Sequence, residues 1–135
     1  MLCFDSSALV KCYQEEEHSP WVREIMASDP DWCGSALLAA EGPIALSRSV
    51  PEADDLQVAD ARISRDLGFF FLVAVDADCL VRAVDIGRDF GLRTLDAIHL
   101  AAARILPSEC SFVTFDDRQR EAAESLGLKV LTPPV

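Results

Sequence analysis

The sequence predicts an α/β fold, a three-layer α/β/α sandwich around a mainly parallel central sheet. Short, continuously apolar runs recur along the chain, as expected for strands buried on both faces. Longer segments with apolar residues at helical spacing separate these runs. Strands that alternate with helices imply right-handed crossovers, parallel pairing and helices on both sides of the sheet. With 135 residues and no visible linker or repeat, we expect a single domain over residues 1–135.

The predicted strands are short and apolar, and most precede a residue that can cap a helix. They cover residues 2–5, 32–34, 69–75, 111–115 and 128–131. The run 69–75 has the continuous apolar character of a strand buried on both faces. The last strand is expected to follow a helix stop at Gly127.

The predicted helices begin at residues that favour helix starts, and they carry apolar side chains three or four positions apart. Ser6 and Ser7, Ser19, Ser35 and Thr94 are the expected caps in four of them. The helices cover about 6–13, 19–28, 35–46, 51–67, 76–90, 94–106 and 116–127, with a kink expected at Gly42-Pro43 in the third.

Composition excludes several classes of protein. No stretch of eighteen apolar residues could cross a bilayer, and the N-terminus lacks the pattern of an export signal. The five cysteines are widely spaced without a CxxC pair, so we expect them to be reduced core residues of a cytoplasmic protein. With only two histidines in the chain, a structural zinc site is not expected.

The net charge of -11 argues against nucleic-acid binding, because affinity for phosphates comes from lysine and arginine. The objection weakens if several acids bind a metal ion, and if an arginine patch or a basic partner supplies positive charge. Arginine makes up all but two of the 12 basic residues, which suits bidentate contacts to phosphate.

Two acids close predicted strands. Asp5 ends the first apolar run, and Asp116 follows the run that starts at Ser111. Ligands of open parallel sheets bind beyond the carboxyl ends of the strands. Both carboxylates are therefore expected to point at one crevice.

Four segments together resemble the PIN domain, particularly VapC-type toxins, over nearly the whole chain. The family has an Asp at a strand end before a small polar residue, a helical Glu, a DAIHLA-like helix and a T-x-D strand end, in that order. The matching segments are Leu2 to Val10, the helix around Glu41, Leu92 to Ala101 (LRTLDAIHLA) and Phe112 to Asp116 (FVTFD). Gly42-Pro43 departs from the usual sequence after this Glu.

The resemblance implies that Asp5, Glu41, Asp96 and Asp116 are the catalytic, metal-binding carboxylates. Mg²⁺ and Mn²⁺ are hard cations that favour such oxygens, and one or two ions would relieve the repulsion among the acids. A bound ion would activate water for attack on an RNA phosphodiester.

The resemblance also implies a biological role, that of an endoribonuclease toxin in a type II toxin-antitoxin pair. Such enzymes mostly cut tRNA or ribosomal RNA, and a cognate antitoxin places a segment, commonly with an arginine, in the toxin groove. A homodimer is implied as well. The alternatives are an RNA-processing nuclease of the same fold without a toxin role, and a catalytically silent binding module.

Several residues near the predicted site have two readings. Ser7 could cap a helix or bond to the metal shell, and Asp117 could replace Asp116 as the fourth ligand. His99 is read as a packed, hydrogen-bonded residue rather than a general base, since a metal already activates water. Arg93 and Arg118 could contact phosphate or form solvated ion pairs.

Overall fold

The chain folds around a five-stranded sheet in which every strand is parallel to its neighbours. The computed structural model describes all residues, 1–135. The strand order is β3-β2-β1-β4-β5. The strands are Leu2–Phe4 (β1), Trp32–Ser35 (β2), Phe71–Val73 (β3), Ser111–Val113 (β4) and Lys129–Leu131 (β5).

Seven helices cover the two faces of the sheet, which confirms the predicted three-layer α/β/α fold. One hydrophobic core lies between the sheet and the first four helices, and a second lies under the last three. The helices are Ser6–Val10 (α1), Ser19–Ser28 (α2), Leu38–Ser49 (α3), Ala53–Leu67 (α4), Ala77–Phe90 (α5), Thr94–Ile105 (α6) and Asp117–Ser125 (α7).

The central strand β1 supplies both cores, because successive side chains of a strand point to opposite faces. Leu2 and Phe4 join the core under α1 to α4, whereas Cys3 joins the core under α5 to α7. β1 pairs with β2 on one side and with β4 on the other. The chain therefore reverses its order of strands beside β1, which is where open sheets of this type bind ligands.

The first helix starts differently from the sequence prediction. Asp5, rather than Ser6 or Ser7, is its N-cap, and the Asp5 carboxylate accepts the Ala8 backbone N–H. The helix also ends at Val10 instead of extending to residue 13. The strand-end carboxylate is thus already tied to the next element.

Three further predicted caps are wrong. Ser19 and Thr94 are the first residues of their helices, and Ser35 lies in β2. The serine hydroxyls are engaged elsewhere: Ser19 donates to the Gln14 carbonyl, and Ser35 accepts the Leu37 N–H. Local bonds of this kind compete with capping.

The prediction that residues 69–75 form a strand buried on both faces is wrong. β3 is short and lies at the edge of the sheet, where Phe69 and Phe71 are 73% and 66% exposed. Phe70 and Val73 are buried. Periodicity alone does not distinguish this case, because an apolar edge strand has the same composition as a central one.

Helix α3 stays α-helical through Pro43. Gly42 in this helix is buried, and a Cβ added to it would lie 2.7 Å from Ile63 Cδ1 of α4. The missing side chain lets α4 pack closely against α3. This packing fixes the helix that carries Glu41.

All five cysteines are free and buried, as predicted for core residues. None of the seven helices has the length and hydropathy that a membrane crossing requires.

Candidate active site

The four predicted carboxylates line one cleft of about 430 Å³ at the carboxyl edge of the sheet. Asp5 follows β1 and Asp116 follows β4. Glu41 and Asp96 lie in the first turns of α3 and α6. Residues that are far apart in the sequence thus meet where two strands end and two helices begin.

Asp5 is the buried member of this set, with 3% of its surface exposed. Its Oδ1 accepts the Ala8 N–H at 2.9 Å, and its Oδ2 accepts the Thr114 hydroxyl at 2.8 Å. The Ser7 hydroxyl lies 2.8 Å from both oxygens, so Ser7 contacts the site and does not cap the helix. These bonds fix the carboxylate in one orientation.

Burial raises the pKa of Asp5 above its usual value, because the ionised carboxylate loses its hydration. The Ala8 N–H, the Thr114 hydroxyl, the charge of His99 and the Ser7 hydroxyl each lower the pKa in part. The net effect is a raised pKa, which means that the protein disfavours the ionised carboxylate relative to water. A cation in the cleft would reverse this effect.

Gln119 links the ends of β4 and α6, and sequence reasoning did not identify it. The side chain is fully buried; its Oε1 lies 2.9 Å from Thr114 Oγ1, and its Nε2 donates to the Asp96 carbonyl at 3.2 Å. The Gln119 backbone N–H donates to Asp116 Oδ1 at 2.9 Å. The only sequence signal for Gln119 is its capping-box spacing from Asp116. In the structure its side chain contacts Thr114 and Asp96 instead of the N-cap residue.

His99 holds Glu41, a contact that sequence reasoning also missed. Nε2 of His99 lies 2.5 Å from Glu41 Oε1, and His99 is 2% exposed. Because an ionised carboxylate only accepts, Nε2 carries the hydrogen. The other ring nitrogen, Nδ1, is buried without a partner. The spacing of three residues from Asp96, which places both on one face of α6, was the available signal.

Asp116, and not Asp117, faces the cleft. Asp116 is the N-cap of α7 and lines the cleft, whereas Asp117 does not line it. The Asp117 side chain is 85% exposed and pairs with Arg120 at 3.2 Å. The structure therefore separates the two neighbouring acids.

Two arginines stand at the rim of the cleft. Arg93 and Arg118 line a small hollow together with Asp96 and Asp116. The Arg93 Nε lies 3.4 Å from Asp96 Oδ2, and the Arg93 side chain is 85% exposed. Positive charge is thus available beside the acids at little cost in desolvation.

Comparison with known proteins places the chain in a family. Residues 2–125 match the model of the PIN domain. The chain belongs to the PIN domain family. It is 38% identical over 130 residues to Ribonuclease VapC46 of Mycobacterium tuberculosis, covering 96% of this chain and 95% of that protein.

Solved structures share the fold of this PIN domain. A chain of a toxin-antitoxin complex from Klebsiella pneumoniae superposes with a TM-score of 0.73 at 17% identity, covering 99% of this chain and 98% of the other. Mycobacterium tuberculosis VapC20, described as a sarcin-ricin loop cleaving toxin, gives a TM-score of 0.71 at 19% identity, covering 90% and 95%. At these identities the likeness concerns the fold.

The donor set of this PIN domain suits a hard divalent cation, since every acidic group in the cleft offers carboxylate oxygens. No three carboxylates, imidazoles or thiols of the chain surround a common point closely enough to hold an ion by themselves. Mg²⁺ does not need such a cage, because it retains several waters and is bound through one or two carboxylates. An ion beside the buried Asp5 would offset the cost of burying its charge.

Replacing the buried acid tests its electrostatic cost. We expect Asp5→Asn, measured with EDTA, to raise the free energy of unfolding at pH 7.5, because asparagine caps a helix equally well without a charge. The raised pKa means that the folded protein binds this proton more tightly than the unfolded chain. The gain should therefore shrink as pH falls through the raised pKa toward 3.8, the ordinary value for an aspartate.

Urea unfolding between pH 7.5 and pH 4 measures this difference. Asp117→Asn is the matched control, since its side chain is 85% exposed and its removal should change stability by less than about 0.5 kcal/mol. An Asp5→Asn protein that is less stable than the unmodified protein at every pH would contradict the account.

Proposed function

We propose that this protein is a metal-dependent endoribonuclease that acts as the toxin of a type II toxin-antitoxin pair. The observation that carries the proposal is the convergence of four carboxylates, one of them buried, on a single cleft. The ribonuclease name of a relative that is 38% identical supports the same activity. We take residues 1–135 as one PIN domain, a proposal supported by the family match over 2–125.

Asp5, Glu41, Asp96 and Asp116 are the proposed ligands of Mg²⁺ or Mn²⁺. When bound, such an ion lowers the pKa of water and offsets negative charge on the phosphate. The protein contributes the orientation. Asp5 is fixed by three donors, and Glu41 by His99.

Positive groups at the carboxyl edge of the sheet would bind the substrate phosphate. Arg93 and Arg118 stand beside two of the acids. The first turn of α6 also lines the cleft through Thr94, Leu95 and Asp96, and the free N–H groups of a helix N-terminus favour a phosphate. These groups reduce the barrier that a net charge of -11 presents to RNA.

The acidic cleft also suits a basic inhibitor, and we propose a cognate antitoxin that inserts an arginine among the carboxylates. A bidentate guanidinium would take the place of the cation and block the cleft. A solved structure with the same fold is a toxin-antitoxin complex, which supports a protein partner. The substrate class we propose is tRNA or ribosomal RNA, within the cytoplasm.

A homodimer is the proposed assembly, with α5 as its surface. Leu80, Val81 and Val84 of α5 are 44%, 65% and 48% exposed. Asp78 lies in the first turn of the helix and Arg88 in its last. Two α5 helices that pack antiparallel across a two-fold axis would bury the apolar residues and bring these opposite charges together.

Removal of one carboxylate tests the enzymatic function. We expect the purified protein to cut total cellular RNA into discrete fragments with Mn²⁺ and not with EDTA. Asp96→Asn should lower the rate by at least about 100-fold, since a bound ion lowers the barrier by several kcal/mol and Asp96 is one of its proposed ligands. Asp117→Asn, outside the cleft, is the control and should cut at the unmodified rate. Absence of cleavage by folded protein freed of partners would favour a binding module.

Removal of the His99 imidazole tests its role as a positioning residue. His99→Phe keeps the buried bulk but removes the bond to Glu41 Oε1. We expect this variant to need more Mn²⁺ for activity and to cut RNA about 10-fold to 100-fold more slowly. His99→Gln retains a donor and should recover part of the loss. Mn²⁺ should raise the melting temperature of the protein, and the concentration that gives half of this rise distinguishes the two possible roles of His99. If His99 only stabilises the fold, His99→Phe leaves that concentration unchanged; if His99 positions Glu41, the concentration increases.

The dimer proposal is tested by light scattering of the purified protein. The unmodified protein should have twice the mass of the chain, and Val84→Asp should have the mass of one chain because it buries a charge in the interface. Val58→Asp, at a valine that is 59% exposed on α4, should remain a dimer. A monomeric unmodified protein at micromolar concentration would refute the proposal.

A further inference from the structure

We propose that the ring of His18, stacked on Phe115, forms a subsite that binds an unpaired nucleobase of the RNA next to the cleft. The inference rests on the proposed ribonuclease function and names a specificity element for it. Trp21 and Lys11 complete the cluster. Four observations support the assignment: the stacking geometry, the position of Phe115, the backbone of His18 and its exposure.

The cluster is a stack of aromatic rings. The rings of His18 and Phe115 have centroids 5.5 Å apart and planes inclined by 17°. Trp21 meets Phe115 edge-on, with centroids 5.9 Å apart at 89°. Lys11 Nζ lies 4.6 Å from the Phe115 centroid. Phe115 is thus contacted by three neighbouring side chains, and the His18 ring is the one stacked on it.

Phe115 belongs to the same short segment as the site. It stands between Thr114, which donates to Asp5, and Asp116, which lines the cleft. Its backbone N–H lies 3.5 Å from Ser7 Oγ. A base stacked on this cluster would therefore be attached to a nucleotide close to the phosphate in the cleft.

The backbone of His18 is held in an unusual conformation. With φ 69 and ψ 2 it is the one non-glycine residue of the chain at positive φ. This conformation is unfavourable for a side chain with a Cβ and persists where surrounding contacts impose it. Here Lys11 pins the preceding loop, since its Nζ bonds to Glu16 Oε1 and the Glu17 carbonyl, both at 3.1 Å.

The His18 side chain is 35% exposed, and its Nε2 lies 3.6 Å from Glu17 Oε1. The surrounding loop carries Glu15, Glu16 and Glu17, which disfavour a phosphate at this point. A neutral base has no such penalty, and stacking of bases on aromatic rings is tolerant of sequence. The chemistry of the cluster therefore matches an unpaired base better than an RNA backbone.

Fluorescence of Trp21 provides a direct test. The chain has two tryptophans, and Trp32 lies in β2, so Trp32→Phe leaves Trp21 as the sole reporter. Asp96→Asn in the same protein should slow cleavage at least about 100-fold, so that binding can be measured. The probes are an unstructured oligoribonucleotide of eight nucleotides and an abasic oligomer of equal length. We expect the first to change Trp21 emission and to bind about tenfold more tightly than the second, as one stacked base allows.

His18→Gly is the decisive variant, because glycine adopts positive φ without strain and the fold is retained. It should abolish the tenfold preference for the oligomer with bases. In the otherwise unmodified enzyme it should raise KM for RNA about tenfold and change kcat less than twofold. Phe71→Ala removes an exposed aromatic side chain from β3 and is the control that should bind as before.

The outcomes separate this inference from the proposed function. RNA cleavage with identical KM for His18→Gly and the unmodified enzyme overturns the subsite and leaves the nuclease intact. Base-dependent binding that His18→Gly abolishes, in a protein that cuts no RNA, supports the subsite and overturns the nuclease. Equal binding of both oligomers, or binding of neither, overturns the subsite.

Discussion

The carboxylate of Asp5 is buried at the end of the central strand, in a position where its negative charge is unfavourable. Its geometry follows from the sheet: β1 lies between β2 and β4, so the residue that follows β1 is enclosed by neighbours on both sides. Burial without compensation is costly. The helix start at Ala8 and the hydroxyls of Ser7 and Thr114 supply the compensation that the fold itself can offer.

Hydrogen bonds also fix the other parts of the site. Gln119 ties Thr114 to Asp96, so the segments that follow β1 and β4 and the first turn of α6 keep a fixed relation. His99 does the same for Glu41 on the opposite wall. Binding and catalysis require side chains that their neighbours hold in a fixed orientation, and these bonds do so. The arrangement also explains how a protein with a net charge of -11 could attract a cation, and a basic inhibitor, to one place.

Sequence reasoning predicted the strand ends, because an apolar run closed by an acid is a local pattern. It missed the pair of His99 and Glu41, since these residues are 58 positions apart and meet only where α3 and α6, which cover different faces of the sheet, both begin beside its carboxyl edge. It misplaced several caps because serine hydroxyls found partners outside their helices. It also predicted, wrongly, that Phe71 is buried, because the position of a strand within a sheet depends on topology and not on composition.

The central claim is that these carboxylates hold a divalent cation that serves RNA cleavage. The most direct measurement is the anomalous scattering of crystals soaked in Mn²⁺, compared with crystals of Asp5→Asn treated identically. The account predicts a peak in the cleft at about 2.0 to 2.2 Å from one or two of the carboxylates, a typical distance for a hard divalent ion, and its loss or marked weakening in Asp5→Asn. A protein that cuts RNA with Mn²⁺ while the cleft shows no peak, or the ion binds elsewhere, would contradict it.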